Sequence, residues 1–156
     1  MNEQELRKQI VTTARACLGV RWRHQGRDPA TGIDCAGLLI HVAHRLQLSQ
    51  FDTHDYGHYP DGMTMQALLD AHMARIAIDE IQQGDVILSA DSERGKWTCH
   101  IGIIVPYQSG GLAVIHATAQ KRKVVENRLD ASELAKVRAA YRFWELSPIP
   151  QSREVA

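Results

Sequence analysis

The spacing of apolar residues changes along this chain from a helical to a strand-like period after Met73, and this change limits the possible folds. Before it, apolar side chains recur at helical spacing over residues 3–18, where Gly19 is expected to end a helix, and a nearly all-apolar segment follows over residues 34–46. After it, strands are expected at Ile76 and Ile78 and over residues 86–88, 99–105, 112–117, 124–128 and 137–144. Early helices and late strands predict an α+β domain whose helices pack on a mostly antiparallel sheet of five to six strands.

Polar residues mark the ends of the other predicted elements. Asp34 is positioned to cap the second helix, and Thr64 is expected to cap a short helix that runs to about Met73. Loops are expected over residues 20–32 and 50–62, and a further short helix near residues 130–136.

Length and charge exclude several classes of protein. The 156 residues suit a single domain, 1–156, in which 146–156 are expected to form a frayed tail. Eighteen basic residues balance eighteen acidic ones, which argues against a nucleic-acid partner. No apolar run approaches the roughly 20 residues of a membrane helix, and the first residues do not resemble a signal peptide, so a soluble protein made in the cytoplasm is expected. The three cysteines are an odd number, which argues against a disulfide framework and leaves at least one free thiol.

Cys35 is the strongest candidate for a chemical role. It lies in the first turn of a predicted helix, where unpaired N–H groups and the helix dipole favour a thiolate and a developing oxyanion. The alternative is a small buried hydrophobic residue, the usual role of a cysteine in a helix.

His100 and His116 are the candidate base and its orienting partner. A hairpin centred on Gln108 places them opposite each other with both rings on one face, within imidazole hydrogen-bonding reach. A slip of the register by one residue places the rings on opposite faces. The alternative is two strand histidines whose hydrogen bonds are satisfied at the edge of the core.

The remaining cysteines and histidines favour structural roles. Cys17 and Cys99 are expected to fill the core. A zinc site is the main competing hypothesis for the histidines, but the paired short spacings that mark such sites are absent, and we expect neither metal nor cofactor. The candidate ligands for such a site are His41 with His44, and His54 with His58 beside Asp52, Asp55 and Asp61. Residues 52–61 are interpreted instead as the wall of a groove, with Tyr56 and Tyr59 in contact with a ligand.

Four segments together resemble the NlpC/P60 cysteine peptidases. In chain order they are Gly32-Ile33-Asp34-Cys35-Ala36-Gly37-Leu38-Leu39, Gln83-Gly84-Asp85-Val86-Ile87-Leu88, His100-Ile101-Gly102-Ile103 and Ile115-His116-Ala117. The segment from Cys17 to Gly26 and the closing Tyr141-Arg142-Phe143 resemble the phage-tail and gene-transfer-agent branch of that family.

The resemblance implies a papain-like fold and hydrolysis of amide bonds in cell-wall peptides. By its pattern Cys35 is the nucleophile, His100 the general base and His116 the orienting third member. Trp22, Asp34 and Ala36 join the two tyrosines as expected substrate contacts. Trp22 stands where the family usually has a tyrosine, and Ala36 where some members have a serine that helps to bind the substrate amine.

The leading hypothesis is a phage or prophage tail-associated peptidase that acts on peptidoglycan stem peptides, with tail proteins as further partners and delivery to the periplasm or wall by a virion. One alternative is a tail-assembly protein that keeps the fold and works by binding, with little or no turnover. A zinc protein is the third hypothesis.

Overall fold

The computed structural model describes residues 1–58, 60–90 and 99–146. The helices are α1 (Glu3–Arg15), α2 (Cys35–Arg45), α3 (Gly62–His72) and the short α4 (Ala131–Ala135), with 3₁₀ turns at Ile78–Glu80 and Trp144–Leu146. The strands are β1 (Arg27–Asp28), β2 (Gly32–Ile33), β3 (Ala74–Ile76), β4 (Val86–Ala90), β5 (Cys99–Pro106), β6 (Leu112–Thr118), β7 (Lys123–Arg128) and β8 (Val137–Arg142).

Six of these strands form one antiparallel sheet in the order β3-β8-β4-β5-β6-β7, and β1 pairs with β2 in a separate small hairpin. Sequential strands from β4 to β7 are neighbours, as hairpin connections dictate. The α+β prediction, with helices on a sheet of five to six strands, is therefore confirmed.

The main core lies between the helices and one face of the sheet. It is built from side chains that alternate along the strands, so that residues two apart share a face. Its largest fully buried apolar members are Ile10, Ile33, Leu38, Val42, Val86, Leu88, Ile101, Ile103, Ile115 and Tyr141. The opposite face carries a smaller cluster formed by Ile87, Ile104, Val114, Val137 and Ala140. The two sides of β5 therefore differ: odd-numbered residues face the helices, and His100 belongs to the other set.

A buried ion network fastens α1 to the sheet. The Asp85 carboxylate, fully buried before β4, accepts from Arg142 Nε and Nη2 at 2.9 Å each and from Arg7 Nη1 at 3.1 Å. The Gln82 N–H donates to the same carboxylate at 2.8 Å. Because the carboxylate has two guanidinium partners and a backbone donor, its desolvation is compensated.

The predicted 20–32 loop contains the β1–β2 hairpin.

The first helix is shorter than predicted. Helix α1 ends at Arg15 rather than at residue 18. Gly19 adopts a φ of +84° and its N–H donates to the Val124 carbonyl at 3.0 Å, so the chain turns towards β7 before it reaches the loop.

Two other predicted boundaries are wrong. Asp61, not Thr64, caps α3: it accepts from the Met63 N–H at 3.1 Å, and the Thr64 hydroxyl donates to it at 3.0 Å. Ile78 starts a 3₁₀ turn instead of continuing a strand, because that turn brings the Glu80 carbonyl to Arg142 Nη2 at 3.2 Å. Within the described residues, no helix is long and apolar enough to cross a membrane.

Candidate active site

Cys35 is the first residue of α2 and packs against β5. Asp34 caps the helix, since its Oδ1 atom accepts from the Gly37 N–H at 2.8 Å. A Cβ atom at Gly37 would overlap the Gly26 carbonyl oxygen, so only glycine lets the preceding loop lie against this first turn. The Cys35 thiol is close to the backbone N–H groups of Cys35, Ala36 and Ile101. The candidate nucleophile therefore has hydrogen-bond donors close to it from both the helix and the strand.

The Cys35 thiol is protonated at neutral pH. Burial raises its pKa to about 11, the Asp34 carboxylate acts in the same direction, and the three backbone donors oppose them only in part. The position at a helix start predicts a lowered pKa for this thiol. Desolvation reverses that direction because the side chain is only 6% exposed. A neighbouring base is consequently needed before the sulfur can act as a nucleophile.

His100, His116 and Asn127 form a chain of hydrogen bonds across three neighbouring strands. His100 Nε2 lies 2.5 Å from His116 Nδ1, with the two rings edge to face, and His116 Nε2 lies 2.7 Å from Asn127 Oδ1. Because an amide oxygen only accepts, His116 donates from Nε2 and accepts at Nδ1, and His100 donates from Nε2. His100 Nδ1 is thereby left with a lone pair, as a proton acceptor requires.

The β5–β6 register differs from the prediction by one residue at the turn. Ile103 pairs with Ile115, so the hairpin is centred on Ser109 rather than on Gln108. Each β5 residue therefore pairs with a β6 residue two positions further along than predicted. Because side chains alternate with a period of two, both histidine rings still lie on the same face of the sheet, and they meet diagonally rather than directly opposite each other. Gly102 lies beside this contact, and a Cβ atom there would overlap Val114 Cγ2. A glycine at this position therefore allows the two histidine strands to approach.

Both histidines are neutral at physiological pH. Burial, together with the neighbouring His116, lowers the pKa of His100 to about 3. Burial also lowers the pKa of His116, against the opposing effects of the Asn127 hydrogen bond and the Glu133 charge. A neutral imidazole keeps the free lone pair that a proton acceptor requires, and His100 lines the same cleft as the Cys35 thiol.

Cys35 and His100 line one cleft of about 300 Å³, which we call the nucleophile cleft. Its outer wall is aromatic: Trp22 and Tyr56 line it, and the His58 ring stacks on His24 with centroids 3.8 Å apart. The remaining lining residues are Asp34, Gly57, Pro60, Cys99 and residues 117–120. Two predicted substrate contacts, Trp22 and Tyr56, thus lie beside the predicted nucleophile.

Asp34 lines the nucleophile cleft, but its carboxylate is occupied by protein donors. Oδ2 accepts from the Tyr56 hydroxyl at 2.8 Å and from the Gln25 N–H at 2.7 Å, and Arg27 Nη1 lies 3.3 Å from Oδ1. With the Gly37 N–H this makes four donors on a residue that is 3% exposed. Asp34 therefore ties the cleft wall to the start of α2.

The other predicted contact residues lie elsewhere. Ala36 is 4% exposed and lines a separate apolar cavity between α2 and α3, not the nucleophile cleft. Tyr59 lies outside the described residues. Cys17 is core, as predicted, at 1% exposure, whereas Cys99 both packs in the core and lines the cleft.

Three of the candidate metal ligands, His44, Asp52 and Asp61, have other partners. His44 Nε2 lies 2.9 Å from the Phe51 carbonyl, Asp52 accepts from Arg27 at 2.8 Å, and Asp61 caps α3. In the part of the chain that the structure describes, no group of three or more His, Cys, Asp or Glu residues could hold a metal ion.

Asn127 is the site residue that sequence reasoning missed. The signal for it is a polar residue in the β7 strand, two positions from Val125, the residue that pairs with His116. That relation can be used only when the β6–β7 register is known, because sequence spacing alone does not pair two strands.

A helix that starts at Cys35 and a six-stranded antiparallel sheet that carries two histidines define an α+β fold of the papain-like type. The sequence profile of the NlpC/P60 family matches residues 19–142, and the chain belongs to that family. The family predicted from the sequence is thus confirmed, while its phage-tail branch stays a prediction.

Solved structures share this fold. An NlpC/P60 family protein from Bacillus cereus ATCC 10987 matches with a TM-score of 0.64 at 19% identity, over 88% of this chain and 40% of its own. The NlpC/p60 domain of the peptidoglycan hydrolase SagA matches with a TM-score of 0.55 at 21% identity, over 90% of this chain and 98% of that domain. The peptidoglycan hydrolase RipB from Mycobacterium tuberculosis has a TM-score of 0.58 at 16% identity, over 91% of this chain and 66% of its own.

The chain therefore spans less than half of the Bacillus cereus protein. At these identities the likeness concerns the fold alone. The chain has no match among the curated proteins.

Proposed function

We propose that this protein is a cysteine hydrolase that cleaves amide bonds of peptidoglycan stem peptides. The observation that carries the proposal is the shared cleft, in which Cys35 at a helix start lies with His100, the first member of the His100–His116–Asn127 chain. Two relatives with the same fold, SagA and RipB, are peptidoglycan hydrolases, which supports the choice of substrate.

In the acylation step, His100 Nδ1 takes the Cys35 thiol proton as the sulfur attacks the scissile carbonyl carbon. The backbone N–H groups of Cys35 and Ala36 at the helix start stabilise the oxyanion. The carbonyl then re-forms, the C–N bond breaks, and His100 returns its proton to the leaving amine. A thioester to Cys35 remains.

Deacylation repeats the sequence with water. His100 Nδ1 takes a proton from the water as its oxygen attacks the thioester, and the proton then goes to the departing sulfur. His116 and Asn127 hold the His100 ring through Nε2 in both steps, and His116 neither gains nor loses a net proton.

Turnover of purified muropeptides tests this proposal. The wild-type protein should release peptide fragments that mass spectrometry identifies, while Cys35→Ala and His100→Ala should be inactive. Cys17→Ala is the matched control, because it removes a buried thiol that does not line the cleft, and it should retain activity. Equal behaviour of wild type and Cys35→Ala would support the alternative of a binding protein with little turnover.

We propose further that the protein acts as part of a phage or prophage tail. The support is the similarity of the segment from Cys17 to Gly26, and of Tyr141-Arg142-Phe143, to that branch of the family. Mass spectrometry of purified tail particles should detect the chain in stoichiometric amount, and its absence from particles would contradict the tail assignment without affecting the hydrolase proposal.

A further inference from the structure

A second cavity of about 390 Å³ adjoins the nucleophile cleft on the other side of His100. We call it the sheet cavity, because it lies over the sheet face that carries His116 and Asn127. It is bounded by residues of β4 to β7 and by α4, and it shares His100, Thr118 and Gln120 with the nucleophile cleft. The two spaces thus meet at the residue proposed as general base.

We infer that the sheet cavity receives the leaving-group half of the substrate and that Lys121 at its edge binds a carboxylate of that half. The inference rests on the proposed function and deepens it. The acyl half stays bonded to Cys35 after the first step, so it occupies the nucleophile cleft beside Trp22 and Tyr56. The leaving nitrogen receives its proton from His100 Nδ1, so the chain attached to that nitrogen passes beside His100 on the side away from the acyl half. The space across His100 is the sheet cavity.

Three cations line the sheet cavity, and Lys121 and Arg128 among them have no ion pair within the described residues. Lys136 Nζ lies 3.4 Å from Glu133 Oε1, and the Arg128 guanidinium lies over the Tyr107 ring at 5.6 Å. Asp130 uses its carboxylate to cap α4. Lys121 is exposed and makes no ion pair within the described residues, although it lines the cavity. Lys121 is the lining cation held by neither an ion pair nor a ring contact in the described part of the chain, so it is the side chain best placed to meet an anion.

The chemistry of the reaction supplies that anion. Cleavage of an amide bond within a peptide releases a segment that carries the chain's C-terminal carboxylate. An ammonium such as that of Lys121 attracts this carboxylate as a point charge, without demanding the fixed geometry of a guanidinium.

Two matched substrates test the inference. Both are stem peptides with the same scissile bond, one with a free C-terminal carboxylate on the leaving segment and the other with a C-terminal amide. Wild type should favour the acid in kcat/KM by roughly fivefold at low salt, the size of a partly exposed ion pair. Lys121→Ala should remove this preference by raising KM for the acid, and added salt should reduce the preference of the wild type.

Lys123→Ala is the control variant, since Lys123 has the same charge two residues away and lines neither space; it should keep the preference. Equal cleavage of both substrates by wild type, or a preference that survives in Lys121→Ala, would overturn the subsite while leaving the hydrolase proposal intact.

Failure to cleave either substrate would count against the proposed function itself. The Lys121 subsite is then tested by nuclear magnetic resonance. The Cys35→Ala protein is titrated with the leaving segment alone, once with a C-terminal acid and once with a C-terminal amide, and the chemical shifts of its backbone amides are measured. Shifts of the Lys121 and Asn127 amides with the acid only would support it, and no shifts with either peptide would overturn it.

Discussion

His116 Nε2 lies 2.7 Å from Asn127 Oδ1, and this bond fixes which nitrogen of each histidine carries the proton. Sequence motifs end at His116, but the hydrogen-bond chain continues to a neighbouring strand. Asn127 makes no contact with the thiol in this arrangement. Its influence on His100, the proposed base, passes through His116, so in the proposed mechanism Asn127 is a positioning residue.

Asn127→Ala should lower kcat roughly tenfold with little change in KM, because the His116 ring loses the acceptor that selects its tautomer. Asn127→Asp keeps an acceptor oxygen and should restore most of the rate. Its carboxylate also stabilises protonated imidazoles, so the acid limb of its pH–rate profile should move to higher pH. A purely structural role for Asn127 predicts no such movement of the pH profile, which separates the two explanations.

Activity should persist in mildly acidic solution. An unperturbed histidine base loses activity near pH 6.5, but the pKa of His100 is lowered to about 3. A lowered pKa delays protonation, so kcat/KM of the free enzyme should stay level as the pH falls from 7 to about 5, provided the protein stays folded. Steady-state rates at low substrate concentration measure this limb. An acid limb centred at the ordinary value for histidine would show that His100 is not held in its neutral form.

The stability of the folded protein, unlike its activity, should decrease in mildly acidic solution. His100 binds a proton in the unfolded chain near pH 6.5 but in the folded protein only near pH 3, so the unfolded state holds more protons between these values. The free energy of unfolding should therefore fall as the pH drops below 6.5, with a slope of at most about 1.4 kcal/mol per pH unit from this group. Denaturant unfolding of His100→Asn should show a smaller slope, while the exposed His54→Asn should match wild type.

Alkylation should report the state of the Cys35 thiol. Since burial raises its pKa to about 11, the rate with iodoacetamide should rise about tenfold per pH unit between pH 7 and 9. Cys35 should be labelled before Cys17, which is sealed in the core, and His100→Ala should slow the labelling near neutral pH by removing the base. Peptide mass spectrometry resolves the sites. A rate that is already level at pH 7 would indicate a preformed thiolate and overturn the general-base mechanism.

Loss of the Asp85 carboxylate should destabilise the fold. Asp85→Asn removes the buried anion that Arg7 and Arg142 share and leaves Arg7 with only the more exposed Glu3 carboxylate, at a cost of roughly 3–5 kcal/mol. Urea unfolding followed by circular dichroism measures this change. Asp79→Asn is the matched control, because Asp79 is exposed in a 3₁₀ turn, and its free energy of unfolding should stay within about 0.5 kcal/mol of wild type. A similar small change for Asp85→Asn would show that the network contributes little.

Local patterns in the sequence were sufficient for the class of fold and for most of the elements. The helical spacing before Met73 and the alternating runs after it predicted the helices and the central strands, because each pattern is set by the period of its own element. Boundaries failed where a distant partner decided them. Helix α1 stops where Gly19 turns to Val124, and Ile78 turns because the Glu80 carbonyl meets Arg142.

The sequence by itself determined the candidate residues of this site. They are a cysteine directly after the helix-capping Asp34, and two histidines on adjacent strands whose even spacing keeps both side chains on one face of the sheet. The tertiary structure decided what those residues meet. The hairpin register centred on Ser109 made the contact between the two histidines diagonal. The β6–β7 pairing brought Asn127 to His116, and the Tyr56 hydroxyl in the cleft wall donates to the Asp34 carboxylate. The tertiary structure also raised the pKa of Cys35, which the helix position alone was expected to lower. The physical reason is that spacing along a chain is local, whereas register, burial and desolvation arise only when distant segments pack together.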